Sequence, residues 1–75
     1  MRSAAIRDVE TLGLVLREAR MSRGLTQRDL ARSLGVHQSY VAELESGKSV
    51  KSLERLLDFI AEVGLTLRAE SDDRA

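Results

Sequence analysis

Over most of the 75 residues, apolar side chains recur every three or four positions, the spacing of helices with one dry face. Val9, Leu12, Leu16 and Ala19 make the first stripe. Asp8 stands before it as an N-cap and Gly24 follows it, so a first helix is expected to run from Asp8 to about Ser22. Thr26 then precedes Gln27-Arg28-Asp29 as a capping box, with Leu25 and Leu30 at the positions of a hydrophobic staple. These signals start a short second helix whose inner face is Leu30, Ala31 and Leu34, and which Gly35 stops. A third follows almost at once, with Val36 and Val41 at staple spacing around His37. His37 is a poorer N-cap than Ser or Thr, by about 1 kcal/mol if nothing replaces the cap. In this helix Val41 and Leu44 point inward, while Gln38, Ser39, Ala42 and Glu43 point out. Gly47 closes it, Ser52 caps a fourth, and Leu53, Leu56, Leu57, Ile60 and Val63 form that helix's stripe up to Gly64.

After Gly64 the period changes. In "LTLRAE", Leu65, Leu67 and Ala69 alternate with Thr66, Arg68 and Glu70, the pattern of a strand. A lone strand is unstable, and no other stretch reads as one, so its partner is expected to be the same strand of a second copy. The competing reading is a tail folded back on its own helices. The fold class is therefore all-α, a bundle of four to five helices with a short C-terminal β-strand, in one domain over residues 1–70. The closing "SDDRA", residues 71–75, reads as a flexible acidic tail.

Twelve basic and twelve acidic residues cancel, which by itself argues against a polyanionic partner. Distribution alters that picture. From Arg17 to Lys51 there are seven basic and four acidic residues, leaving that segment at +3 and the remainder at −3. A chain this short buries only about 60% of the surface its unfolded form exposes, so burial against a partner is attractive. Without cysteine there is no disulfide framework, and with one His no closed metal site is expected. No apolar run reaches the roughly 18 residues of a membrane span, and "MRSAAIRDVE" has no signal-peptide core, so a cytoplasmic location is expected.

Two short helices joined by a glycine turn, the second polar on its outer side, form a helix-turn-helix. The stretch "GLTQRDLARSLGVHQSYVAELESGK" resembles the DNA-binding domains of phage repressors and the xenobiotic-response-element (Cro/C1-type) regulator family. The Gly-Leu-Thr-Gln start, the Leu-Ala of helix two, the Leu-Gly-Val turn and the Glu-x-Gly-Lys end fall at that family's spacing. The "IRDVETLG" entry and the "VGLTLRAE" close are most similar to HipB-type antitoxins. That resemblance implies a homodimer held by the C-terminal strand (Leu65, Thr66, Leu67, Arg68, Ala69), repression of its own operon at a pseudo-palindromic site in double-stranded DNA, and a HipA-like kinase toxin as partner.

The resemblance also assigns residues. Gln27, at the start of helix two, would bind a phosphate and brace the next helix, a place where anions are favoured. Gln38 would read a base, since its amide can pair with adenine N6 and N7. Ser39 and Glu43 would face base edges, His37 and Tyr40 the backbone, and Lys48, Lys51, Arg23 and Arg28 the phosphates. Glu43 departs from the family pattern, because a carboxylate repels phosphate but can accept from cytosine N4. Glu45 matches the family position that pairs with Arg20, a structural ion pair. Asp29 belongs to the capping box, so two of the four acids need not face DNA.

The expected function is sequence-specific DNA binding and repression by an antitoxin-like homodimer. The alternatives are a stand-alone repressor and a protein-interaction module that no longer binds DNA. Catalysis is not expected, since no paired-carboxylate site, nucleophile–base set or phosphate-cradling loop occurs, and no cofactor is implied.

Overall fold

Each helix of the computed structural model, which describes residues 2–48 and 50–71, starts where the local chemistry permits. The chain runs β1 (Arg2–Ile6), α1 (Val9–Ser22), α2 (Gln27–Leu34), α3 (Gln38–Glu45), α4 (Lys51–Glu62) and β2 (Leu67–Ser71). Asp8 is extended and its carboxylate accepts from the Thr11 amide at 2.6 Å, satisfying one of the free N–H groups that open α1. Thr26 and Asp29 complete a reciprocal capping box on α2, each side chain accepting the other's amide at 3.0 Å. Gly35, at φ +70°, ends α2 in the left-handed conformation and lets the Val36 amide reach back to the Ala31 carbonyl at 3.0 Å. His37 precedes α3 with no side-chain cap, as a ring in place of a hydroxyl implies.

The strands change the picture drawn from the sequence. β1 and β2 pair antiparallel within the chain, from Arg2 opposite Ser71 to Ile6 opposite Leu67. The strand read after Gly64 thus has its partner in the N-terminal "RSAAI", and that pairing removes the reason for seeking it in a second copy. β1 escapes a pattern reading because alanine is depleted in strands and five residues give little alternation. β2 also begins later than expected: Leu65 and Thr66 precede it, and it ends at Ser71. The remaining tail, residues 72–75, lies outside the described residues. The architecture is therefore four helices with a two-stranded antiparallel sheet, where four to five helices and a single C-terminal strand were expected.

The core lies between the sheet, α1 and α4. Ile6, Val9 and Leu57 are buried, and Leu12, Val15, Leu53, Ile60 and Ala69 pack around them. Ala31 and Val41 are buried where α2 meets α3. Several stripe positions face elsewhere. Leu16, Ala19, Leu34, Leu56 and Val63, expected inside, are exposed, because each helix is covered over a narrower arc than its apolar stripe. Ala42, expected outside, is half-buried. Helix α4 starts at Lys51 after an extended Val50, so Ser52 lies in its first turn rather than at its cap.

Gly13 is the position where α1 and the end of α3 come closest. A Cβ there would lie 2.7 Å from the Leu44 carbonyl oxygen, 2.8 Å from that of Glu45 and 2.9 Å from the Gly47 nitrogen. All three are backbone atoms, which cannot rotate away. Alanine would favour the isolated helix by about 1 kcal/mol, but overpacking costs about 1–3 kcal/mol and separates α1 from α3. Gly13→Ala is expected to lower the melting temperature by several degrees, measured by circular dichroism, despite its gain in helix propensity.

Candidate nucleic-acid interface

Helix α3 is held by an inner polar network and presents its other side to solvent. Arg20, on α1, donates from Nε to Glu45 Oε2 at 2.7 Å and from Nη2 to Oε1 at 2.9 Å. Its Nη1 donates to the Leu25 carbonyl at 2.6 Å, fixing the loop between α1 and α2. The Gln27 amide donates from Nε2 to Glu45 Oε1 at 3.1 Å, which ties the start of α2 to the end of α3. Glu45 is 8% exposed, and every buried side-chain nitrogen and oxygen among the described residues has a hydrogen-bond partner. The Arg20 guanidinium holds the Glu45 carboxyl below the usual glutamate range, against a smaller opposing push from burial, with Gln27 adding to the lowering.

The outer side of α3 is polar and open to solvent. Gln38, Ser39, Tyr40 and Glu43 are all exposed, as is His37 just before them. Gln38 faces a shallow cleft that Gln27, Arg28 and Thr26 also line. One N–H of the Gln27 amide is used on Glu45; the second remains for an anion at the same helix start. Lys48 and Lys51 are exposed beyond the other end of α3, Lys51 as the first residue of α4. Arg23 is exposed at the end of α1 and takes part in an interaction of its own. The Asp29 carboxyl is held low by the Thr26 amide and hydroxyl, so its charge is committed to the α2 cap. Glu43 is thus the acid on α3 that faces outward.

Residues read as a dimer strand lie elsewhere. Leu67, Arg68 and Ala69 are in β2 opposite Ile6, Ala5 and Ala4, and Arg68 donates to the Ser3 hydroxyl at 3.0 Å. Leu65 and Thr66 are exposed in the turn before it. Sequence reasoning missed Gly13 and the Leu25 carbonyl. A glycine inside an apolar helical run is a visible sign of close packing, whereas a carbonyl acceptor has no signature.

A helix-turn-helix family model matches residues 16–68, which contain α2, the turn and α3 entire. The chain belongs to the helix-turn-helix family. That domain is the DNA-binding unit of transcription regulators. Among curated proteins the chain is 34% identical over 59 residues to endothelial differentiation-related factor 1 of Homo sapiens, and equally to that of Rattus norvegicus. The homologue from Danio rerio is 32% identical over the same length. Each match takes 79% of this chain and 40% of the relative, so the likeness is to one part of those proteins. No solved structure matches.

The lowered Glu45 carboxyl makes stability depend on pH. Its contribution is present above the ordinary glutamate range and is lost as pH falls through the depressed value. Glu45→Gln is expected to lower the melting temperature at neutral pH by roughly 5–10 °C. The gap to the wild type should narrow on acidification. A pH series of thermal melts checks both.

Proposed function

We propose that the chain is a sequence-specific DNA-binding repressor, with α3 in the major groove and a homodimer spanning a pseudo-palindromic operator. The observation that carries this reading is the orientation of α3: its one buried carboxylate is neutralised by Arg20, Gln38 lines a cleft with Gln27 and Arg28, and Ser39 is exposed. Gln38 reads a base, adenine being the one whose major-groove edge its amide matches. Gln27, Arg28, Lys48 and Lys51 hold phosphates on either side and set the depth of α3. Tyr40 and His37 meet the backbone. Glu43 selects for cytosine or stands off the groove. Two copies would place their α3 helices about 34 Å apart, one turn of DNA.

Within this reading the chain acts in the cytoplasm as the antitoxin of an operon that it represses, and binds a kinase toxin. Support for the toxin is the resemblance carried by "IRDVETLG" and "VGLTLRAE". Ile6 and residues 67–70 of these stretches lie in the sheet, whereas residues 9–13 lie on α1, whose Gly13 meets the end of α3; a toxin held on the sheet leaves the outer side of α3 free. Co-expression with the product of the neighbouring open reading frame, followed by co-purification, tests that part.

The DNA reading is tested by affinity for the chain's own upstream DNA over a salt series. A site-specific complex that weakens steeply with salt is expected. Gln38→Ala should cost about 1–3 kcal/mol at one base position and relax specificity there, whereas Lys48→Ala should weaken all sequences alike and reduce the salt slope by about one. Absence of any salt-dependent, site-specific complex would leave the interaction-module reading in its place.

A further inference from the structure

Helix α4 carries more apolar surface than the chain covers. Leu57 is buried against the core, yet Leu56, Phe59 and Val63 are 53%, 66% and 54% exposed, at spacings of three and four along one side of the helix. Leu65, just past Gly64, is 64% exposed and continues the patch. It also lines a groove between α4 and the sheet, shared with Ile6, Ile60 and Leu67. None of the four belongs to the reading face.

The charges beside the patch indicate what covers it. Arg55, Asp58 and Glu62 share the flank next to Phe59, with Arg55 and Glu62 seven residues apart, two helical turns, at its ends. Both are exposed, and neither forms an ion pair among the described residues. When two copies of such a helix run antiparallel about a two-fold axis beside Phe59, Arg55 of each faces Glu62 of the partner subunit. One sequence thus supplies both halves of the contact, the self-complementarity that an isologous interface requires.

We propose that a second copy of this chain docks on α4, antiparallel, burying Leu56, Phe59, Val63 and Leu65 between two Arg55–Glu62 pairs. This rests on the homodimer in the reading above and names its surface, which is α4 rather than the strand. The strand is already paired in cis through β1. With α4 as the seam, Gln38 and its neighbours stay exposed on both copies.

The test is sedimentation of the full chain without DNA, so that failure here is separate from failure of the DNA reading. The wild type is expected to be dimeric at about 100 µM. Phe59→Asp should weaken dimerisation at least about tenfold with an unchanged circular dichroism spectrum, since the side chain it replaces is largely in solvent. Arg55→Glu and Glu62→Arg should each weaken it by about threefold or more, and the double exchange should restore it. A wild type that stays monomeric, a Phe59→Asp chain that dimerises like the wild type, or a double exchange weaker than either single one would overturn the proposal.

Discussion

The carboxylate of Glu45 determines where α3 can lie. It is the last residue of that helix, enclosed, and charged, so it must be met by donors on whatever packs against it. Arg20 supplies two of them in a fork that matches both oxygens, which fixes angle as well as distance between α1 and α3. Gln27 supplies a third from the start of α2. Three helices and the loop at Leu25 are thereby referenced to one carboxyl group. An apolar contact in the same place could bind as strongly but would lack the directional hydrogen bonds that set both angle and distance between α1 and α3.

That network also bears on charge. Were the acids between Arg17 and Lys51 all outward, the segment would be a poor surface for phosphate. Glu45 is neutralised internally and Asp29 is spent on the α2 cap, so the outward balance of α2 and α3 is more basic than the sequence total suggests. Glu43 remains outward. Under the proposed reading, an outward carboxylate on α3 costs some nonspecific affinity and would disfavour sites that bring a phosphate or an acceptor close to it.

Much of this was legible because the deciding signals are local. A Thr-x-x-Asp box, a glycine at a left-handed position and an Asp before an apolar stripe each act within four residues, and the four helices begin within a residue or two of where these signals put them. The Arg20 and Glu45 assignment came from family resemblance; they are 25 positions apart, and no periodicity links them. Long-range features without a pattern were lost. β1 is a five-residue strand rich in alanine whose partner is 65 positions away, and its identity as a strand is a property of β2. The direction of Leu34, Leu56 and Val63 was lost for a related reason: a stripe shows that a face is apolar, not that the same chain covers it.

Helix α1 connects these halves. It packs on α3 through Gly13 and Arg20, and on β1 and α4 through Val9, Leu12 and Val15. The small core at the sheet and the polar network at α3 are therefore joined through one helix. No large side chain among the described residues is wholly buried. For a domain of this size the remaining apolar surface on α4 has a direct consequence. Under the proposed dimer, a second copy covering that surface would pack α4 against α1, the same helix whose Arg20 holds Glu45 of α3, so α1 is the element through which the two ends of the domain meet.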